Sequence, residues 1–363
     1  MSVLRGCMRI LFLLRHFPPE RSGMATQMFN TVHFLKGQGA DVKVVRLLFK
    51  SQGAEHKYVG ESVKGSFFME QKLRELKEKY KPDIVHFDSL WPAGRAITKV
   101  FQDEVKIISI GGRMFDEYGE YWKYTGSNKF IGWLKGQFLT FLAKDVLNKI
   151  DLVFSEGYDI EKHLKENGIV VPIKVINNGV DFSRFKYKPA RGKRLLFFGR
   201  FSWENGPDRF VEILKGLPGF EGVMVGYGPK EDEVRKLAEK VTNVRVMDAV
   251  RWDQVPELLA SVDGILLPFR RIGGISQTVT ESMAAGRLVF TTRVGDLRSV
   301  IDPWKTGFFF SRDIEVRELI QKVYKDKKLM GRVEKAARQK IKKDFSWKVI
   351  IKEYLGAYRE HHR

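Results

Sequence analysis

The segment at residues 264–292 reads GILLPFRRIGGISQTVTESMAAGRLVFTT and predicts a strand, a loop, a helix and a second strand. Its apolar ends, at residues 265–268 and 288–290, are typical of buried strands. Between them, Gly273 and Gly274 allow the backbone to approach a ligand closely, because glycine has no Cβ atom. A strand end followed by a loop and a helix N-terminus favours a binding site for an anion.

Charged residues in this segment sharpen that prediction. Arg270 and Arg271 supply positive charge in the loop, and Glu281 falls in the first turns of the predicted helix. A carboxylate in that place can face a pair of hydroxyl groups on a sugar or a ribose. The segment therefore predicts a site for a phosphorylated ligand, and an ordinary connection with solvated arginines is the alternative.

The same order of strand, loop and helix recurs along the chain, which predicts parallel sheets covered by helices. In the first half, the predicted strands are residues 10–14, 42–48, 83–87, 105–110 and 152–155, and the predicted helices are residues 25–36 and 72–80. In the second half, the predicted strands are residues 195–198, 222–225, 244–247 and 265–268, and the helices are residues 207–214, 231–241 and 255–260. We therefore expect two consecutive α/β domains of the Rossmann-like type that face a central cleft, the default ligand site.

The composition is typical of a globular protein, since 43% of the 363 residues are hydrophobic and 30% are charged. A chain of this length usually forms two domains, each with its own core. The one cysteine, Cys7, excludes an intrachain disulfide and indicates a reducing compartment, so we predict a cytoplasmic protein. The early apolar run at residues 10–14 is too short to span a membrane.

The formal net charge is +20, from 64 Lys and Arg against 44 Asp and Glu. Such a charge favours anionic partners, which are nucleotide phosphates, anionic lipid headgroups or nucleic acid. Nucleic acid is the least favoured of the three, because the sequence contains no recognisable recognition helix, RNA-binding strand motif or zinc-binding spacing. Peripheral contact with an anionic inner membrane face stays open, and the many charges of both signs are typical of a thermophile.

Residues 129–150, KFIGWLKGQFLTFLAKDVLNKI, predict a helix that has two interpretations. Its aromatic residues and lysines are mixed as in a helix that lies on a membrane surface. Its apolar residues also recur at helical spacing, and the helix leads directly into the strand at residues 152–155. We favour a core helix packed on the first sheet, in which exposure of Trp122, Tyr124 and Trp133 would still create a docking patch.

Three further places could contact phosphate. Gly199 and Arg200 end the first strand of the second domain, where α/β sheets bind ligands, and arginine offers a planar, permanently charged fork. The run Gly226-Tyr227-Gly228-Pro229 follows the next strand and is equally well explained as a tight turn. Ser22 and Gly23 follow the first strand of the first domain, where a turn without ligand contact is the alternative.

Together these segments resemble the retaining GT-B glycosyltransferases grouped as family 4, over nearly the whole chain. Residues 8–45 resemble the opening strand, glycine loop, helix and second strand of the family. The segments DLVFSEGYDIEKHLKENG and VINNGVDFSRF, at residues 151–168 and 175–185, are similar to the signature that ends its first domain. Residues 195–214, 223–241 and 255–269 resemble its donor domain, and FSWKVIIKEYLGAYRE resembles its terminal helices.

The resemblance implies an acceptor-side domain at residues 1–188, a nucleotide-sugar donor domain at residues 189–345 and a terminal helix at residues 346–363 that crosses back to the first domain. It implies transfer, with retention of configuration, from a UDP- or GDP-linked sugar to a hydroxyl of a glycan or lipid-linked acceptor, without cofactor or essential metal. By resemblance Arg200 and Glu281 are catalytic. The implied donor-binding residues are Gly23, Gly199, Arg200, Asn205, Arg270, Arg271, Gly273, Gly274, Ile275, Ser276, Gln277 and Glu281.

The sequence departs from the family pattern at three positions. A glutamate is expected eight residues before Glu281, where this chain has Gly273. A lysine is expected five residues after Arg200, where it has Asn205, and a histidine is expected at the end of the strand at residues 105–110, where it has Gly111 and Gly112. Loss of one preorganised group typically costs on the order of 100- to 1000-fold in rate. A non-catalytic homologue that binds a nucleotide or glycan as a partner protein is therefore the alternative.

Nearby arginines could compensate for these losses. Arg270 or Arg271 could reach the diphosphate in place of the lysine, and Arg113 could enter from the first domain. Solvated basic loops are the alternative in a chain so rich in Lys and Arg. The acidic residues Asp116, Glu117 and Glu120 could polarise an acceptor hydroxyl, although we favour a loop-capping role for them.

Overall fold

A computed structural model of the protein describes residues 8–17, 23–48, 62–64, 69–119, 128–190 and 192–362. The predictions made for Cys7, Ser22, Glu120, Trp122 and Tyr124 lie outside the described residues. The chain divides into two compact units, Met1–Asn177 with Ile351–Arg363, and Asn178–Ile350. Compact units and functional domains need not end at the same residue, so the domain boundaries drawn from the sequence stay predictions.

The first unit contains a parallel sheet that has seven strands within the described ranges, in the order β3-β2-β1-β4-β5-β6-β7. The central strand β1, RILFLL, is almost wholly buried and pairs Ile10 with Val42 on one side and with Ile84 on the other. The strands are β1 (Arg9–Leu14), β2 (Asp41–Leu48), β3 (Ser62–Lys64), β4 (Ile84–Phe87), β5 (Val105–Ile110), β6 (Leu152–Ser155) and β7 (Ile173–Val175).

Helices connect these strands, as parallel pairing requires. They are α1 (Gly23–Gly37), α2 (Met69–Tyr80), α3 (Ala93–Val100), α4 (Met114–Gly119), α5 (Lys129–Leu147) and α6 (Tyr158–Glu166). The described strands and helices of the first half fall within about three residues of the predicted ones. Sequence reasoning did not predict α3, α4, α6 or the short edge strands β3 and β7.

The second unit repeats this design with a parallel sheet of six described strands in the order β10-β9-β8-β11-β12-β13. Leu195 of the central strand pairs with Gly222 on one side and with Gly264 on the other. The strands are β8 (Arg194–Phe198), β9 (Glu221–Val225), β10 (Val244–Met247), β11 (Gly264–Leu267), β12 (Leu288–Thr292) and β13 (Phe308–Phe310).

The helices of the second unit are α7 (Pro207–Lys215), α8 (Glu231–Ala238), α9 (Val255–Ala260), α10 (Gln277–Ala284), α11 (Leu297–Val300), α12 (Asp313–Lys325) and α13 (Lys327–Asp344). Short 3-10 turns occur at Phe182–Arg184, Trp203–Asn205 and Trp252–Gln254. The segment at residues 264–292 thus forms the predicted strand, loop, helix and strand.

The last helix, α14 (Trp347–His361), begins in the second unit and ends in the first. At its start, the Trp347 ring lies against Gly179, where an added Cβ would come within 2.6 Å of the indole. In its second half, Tyr358 donates to or accepts from Nδ1 of the buried His86, at 2.6 Å, and Ser109 lies 2.7 Å from Nε2. Burial lowers the pKa of His86 to about 3, so a neutral ring joins α14 to strands β4 and β5.

Candidate functional site

The strand order of the second sheet reverses between β8 and β11, which are neighbours in the sheet but not in the chain. Open parallel sheets bind ligands at the carboxyl ends of such strands. The loop after β8 and the loop after β11 contact each other there, because the Glu204 carbonyl accepts from the Arg270 amide at 2.7 Å. Gly206 adopts φ +68°, and its Cα packs against the Pro268 carbonyl so closely that a Cβ would collide with it. These two loops carry most of the residues selected from the sequence.

The side chain of Arg200 is exposed at the end of β8 and, among the described residues, makes no hydrogen bond or ion pair. Its backbone carbonyl accepts a hydrogen bond of 2.8 Å from Nδ2 of Asn205. Gly199, which precedes it, has φ +153°, at the limit of the region that favours glycine. Asn205 therefore holds the backbone of this loop, whereas Arg200 presents an exposed positive charge at the strand end.

Arg270 is held by an acidic partner within the same unit. Its guanidinium donates to the Asp208 carboxylate at 2.7 and 2.5 Å and to the Trp203 carbonyl at 3.0 Å. Burial raises the pKa of Asp208, but the hydrogen bonds from Arg270 outweigh burial and hold that pKa below its usual value. The structure therefore gives Arg270 the role of clamping the loop after β11 to α7. The adjacent Arg271 also has its amide directed at the Glu204 carbonyl, at 3.3 Å.

The loop at residues 273–276 leads into α10 and is anchored from the turn after β12. Gly274 adopts φ +62°, and its carbonyl accepts from the Asp296 amide at 2.9 Å. Ser276 is the N-cap residue of α10, yet its side chain makes no capping hydrogen bond. Within the described ranges, no side-chain hydrogen bond from the N-cap residue reaches the first turn, which leaves the positive end of the helix dipole to attract an anion. Ile275, by contrast, is buried and packs into the core.

Glu281 lies one turn further along α10 and is 7% exposed. Its Oε1 accepts a hydrogen bond of 3.0 Å from Nε2 of Gln277. Burial raises the pKa of Glu281 to about 7, against the opposing effects of the Arg184 charge and of the Gln277 hydrogen bond. A carboxyl group in this state can both donate to and accept from ligand hydroxyl groups near neutral pH.

Sequence reasoning missed Arg184 as a residue of this site. Its guanidinium lies 3.3 Å from the centroid of the Trp252 ring and donates to the Trp252 carbonyl at 2.6 Å. The positive charge of Arg184 lowers the pKa of Glu281, which opposes the effect of burial on that pKa. The signal was present, since Arg184 belongs to the quoted signature at residues 175–185. Only the fold, however, places that signature beside α10.

The glycines at residues 226 and 228 serve packing. An added Cβ on Gly226 would collide with the Gly199 carbonyl, and one on Gly228 would lie 2.6 Å from the Phe201 carbonyl. The backbone also connects the two loops, because the Phe201 amide donates to the Tyr227 carbonyl at 2.8 Å. The interpretation of this run as a tight turn therefore accounts for both glycines. The turn packs against the loop that carries Arg200.

Gly23 and Gly111 belong to the first unit. Gly23 is the exposed first residue of α1. Gly111 follows β5 and is, with Gly112, one of the two positions at which the sequence lacks the expected histidine; the Glu156 carboxylate fills the space beside it. An added Cβ on Gly111 would lie 2.6 Å from Oε2 of Glu156 and 2.6 Å from Cε of Met24. An acidic group thus lies where the family pattern has a basic one.

Arg113 is likewise engaged within the first unit. It donates to Asp116 at 2.7 Å and to Asp159 at 2.9 Å. Burial would lower the pKa of Arg113, but these two hydrogen bonds raise it above its usual value. The pairing fixes α4 against the start of α6. In the described part of the chain, no group of three or more His, Cys, Asp or Glu is arranged to hold a metal ion.

Comparison with known families matches both units. The family model of the glycosyl transferases group 1 matches residues 180–340, and that of glycosyltransferase family 4 matches residues 21–184. A glycogen synthase of Mycobacterium tuberculosis is 27% identical over 209 residues, which cover 52% of this chain and 49% of that protein. The chain therefore spans about half the length of the curated relatives that it matches first.

Solved structures share the fold over almost the full chain. Sucrose-phosphate synthase from Thermosynechococcus elongatus superimposes with a TM-score of 0.79 at 15% identity, over 97% of this chain and 98% of that one. Anabaena HepE in complex with UDP-glucose superimposes with a TM-score of 0.77 at 16% identity, over 96% of this chain and 100% of that one. These likenesses confirm the prediction of an α/β GT-B fold.

Proposed function

Because the chain belongs to the glycosyltransferases described as group 1 and family 4, we propose that it transfers a sugar from a nucleotide-diphosphate donor to a hydroxyl group. The observation that carries the proposal is the start of α10. There a glycine loop, a helix N-terminus without a side-chain cap and the buried Glu281 follow one another within nine residues of chain. Such an arrangement offers amides to phosphate and a carboxyl group to hydroxyls.

In this proposal the donor diphosphate binds between Arg200 and the first-turn amides of α10. The exposed guanidinium of Arg200 is suited to paired hydrogen bonds with phosphate oxygens. Glu281 binds the ribose or sugar hydroxyls, with Arg184 beside it. Gly199, Asn205 and Arg270 shape the site rather than supply charge to the phosphates, since the Arg270 guanidinium is already paired with Asp208. Arg271 and residues 273–277 stay predicted donor-binding residues. Gly23, in the first unit, stays a donor-binding residue by resemblance alone.

The proposed reaction proceeds with retention of configuration. The bond between the anomeric carbon and the diphosphate oxygen breaks, while the acceptor hydroxyl oxygen bonds to that carbon from the same face and its proton passes to an oxygen of the departing diphosphate. Negative charge builds on the departing diphosphate, and Arg200 with the positive end of α10 stabilises it where it develops. We propose Arg200 and Glu281 as the catalytic residues, whose replacement should lower the transfer rate most.

The proposal extends to the donor base and the acceptor. A UDP-linked sugar is preferred over a GDP-linked one, because the Anabaena neighbour is described with UDP-glucose. The acceptor is a hydroxyl of a glycan or of a lipid-linked glycan, bound by the first unit. Cytoplasmic residence and a thermophilic source stay predictions from the composition.

A second candidate, a non-catalytic homologue that binds nucleotide or glycan, retains one specific observation in its favour. The side chain of Asn205 is uncharged and donates to the backbone carbonyl of Arg200. It therefore supplies no positive charge in place of the expected lysine. A protein of this kind would bind donor without turning it over.

A donor screen followed by a turnover assay tests the proposal. Thermal unfolding in UDP-, GDP- and ADP-sugars identifies the donor, and release of nucleoside diphosphate with oligosaccharide or lipid-linked acceptors measures transfer. We expect stabilisation by one donor, turnover with an acceptor, and loss of both in Arg200→Ala but not in Arg332→Ala, which replaces an exposed arginine of α13. Stabilisation without turnover for every acceptor would favour the non-catalytic homologue. No stabilisation by any donor would contradict both.

A further inference from the structure

Helix α5 is apolar on two opposite sides. Gly132, Gly136, Leu142, Ala143, Val146 and Leu147 are buried on one of them. Six large apolar side chains are exposed on the other, by fractions of 47–66%: Phe130, Ile131, Trp133, Leu134, Phe138 and Phe141. The core-helix interpretation of this segment is therefore correct for only one side. An outer side this rich in aromatic groups is unusual for a surface helix in water.

The exposed residues form a continuous surface, which we call the α5 outer face. At about 100° per residue, the six positions fall within an arc of about 160°. The buried residues occupy the opposite arc. Phe130 and Trp133 also stack on each other, with ring centroids 6.2 Å apart. The aromatic groups thus make one patch rather than scattered exposures.

The inner side shows that α5 is firmly seated. It packs against α3 and α4, and an added Cβ on Gly94 of α3 would lie 2.9 Å from Cγ1 of Val146. Asn128 caps the helix start by accepting from the Phe130 amide at 2.9 Å. The outer face is therefore held in place by a packed helix, which fixes the orientation in which its side chains meet a partner.

Charge indicates which partner this face fits. Lys129 and Lys135 are exposed at the borders of the patch, and α5 contains one acidic residue, Asp145, near its end. The whole chain carries a formal charge of +20. A second copy of this chain would bring two strongly positive molecules together, whereas an anionic surface gains attraction from the same charges.

We propose that the α5 outer face docks on the surface of an anionic lipid bilayer. The helix lies in the plane of the membrane, with its Phe and Trp side chains among the acyl chains and its lysines at the headgroups. No helix in the part of the chain that the structure describes is long and apolar enough to cross a membrane. The proposal does not depend on the transfer reaction, because it concerns where the first unit binds.

Vesicle co-sedimentation tests this proposal. The triple variant Phe130→Ser, Phe138→Ser and Phe141→Ser removes three rings that are 60–66% exposed. We expect the unchanged protein to bind phosphatidylcholine vesicles that contain phosphatidylglycerol, and the variant to bind them about tenfold less well or worse, because apolar area drives insertion. Val170→Ser serves as the matched control, since Val170 is 86% exposed in the same unit but outside α5.

Two further measurements keep the outcome unambiguous. Thermal unfolding of the triple variant should match that of the unchanged protein, because the removed rings make little contact with the core. If the triple variant unfolds at a lower temperature, Lys135→Glu replaces it. Lys135→Glu should weaken vesicle binding at low salt. Equal binding of the unchanged protein and a folded triple variant would overturn the proposal. So would a stable dimer in light scattering that the triple variant converts to monomer while neither form binds vesicles.

Discussion

Glu281 couples the candidate site to pH. Burial raises its pKa from 4.5 to about 7, so the folded protein holds a proton that the unfolded chain releases over that range. The free energy of unfolding of the second unit should therefore fall as pH rises from about 4.5 to about 7. Each pKa unit corresponds to about 1.4 kcal/mol, so the free energy of unfolding should fall by about 3 kcal/mol over this pH range. We expect Glu281→Gln to remove that decrease.

Denaturant unfolding at several pH values between those limits measures this effect. Glu318→Gln replaces an exposed glutamate of α12 in the same unit and should leave the pH dependence of the unchanged protein intact. If Glu281→Gln shows the same pH dependence as Glu318→Gln, the carboxyl group of Glu281 is not buried as described.

Gly111 and Gly112 form a natural pair of test and control. A Cβ on Gly111 would meet the Glu156 carboxylate at 2.6 Å, whereas one on Gly112 meets nothing within 4 Å. Gly111→Ala should therefore displace the flexible ends of the Glu156 and Met24 side chains and destabilise the first unit by about 1 kcal/mol, the low end of the range for overpacked positions. Gly112→Ala should stay within about 0.5 kcal/mol of the unchanged protein. Thermal unfolding distinguishes the two, and equal stability of both variants would contradict the placement of Glu156.

Individual residues of the site were predicted unevenly. The sequence correctly led to a loop and helix start around Gly274 and Glu281, because glycines after an apolar run are a local signal. It did not lead to Arg184, which is nearly 100 residues away in the chain and approaches Glu281 only through the fold. The sequence also suggested Arg270 as a phosphate ligand. No pattern in the sequence reveals that the Arg270 guanidinium pairs with the Asp208 carboxylate instead.

Loops of the second sheet pack on each other through glycine. A Cβ on Gly226 would collide with the Gly199 carbonyl, whereas a Cβ on Gly331, within α13, meets nothing within 4 Å. Gly226→Ala should destabilise the second unit by about 1–3 kcal/mol and also weaken donor binding, because the loop that carries Arg200 must move. Gly331→Ala should stabilise the protein by about 0.5–1 kcal/mol, because alanine favours a helix over glycine.

Unfolding midpoints and nucleotide titrations of the two variants check this pair. A Gly226→Ala protein as stable as the unchanged one would mean that the loops after β8 and β9 are further apart than described.

Elements with a strong apolar pattern were predicted within a few residues, and those set by tertiary contacts were not. Strands such as β1 and β11 are short buried runs that a parallel sheet requires. The short edge strands β7 and β13, with three residues each, have too little pattern of their own. In α5 the periodicity of apolar residues correctly predicted a helix. Because the helix is apolar on both sides, its sequence does not show which side packs against the rest of the first unit.

The two units share one strand order around their central strands, which follows from a repeated strand and helix rhythm in the sequence. Sequence patterns predicted that repetition because each local segment signals its own type. The return of the last helix to the first domain was predicted from the family resemblance and not from a local pattern, because the contact that holds α14 there joins Tyr358 to His86 across 272 positions of the chain. The +20 charge favoured anionic partners without selecting among them.

Calorimetric titration of UDP into the protein tests the central claim most directly, namely that a nucleoside diphosphate binds between Arg200 and the start of α10. We predict that Arg200→Ala weakens UDP binding by about tenfold to 100-fold, as expected for lost charge-assisted hydrogen bonds worth about 1.5–3 kcal/mol. Arg332→Ala should bind as the unchanged protein does. Equal affinity of all three proteins for UDP, or no binding of UDP, GDP or ADP by the unchanged protein, would contradict the account.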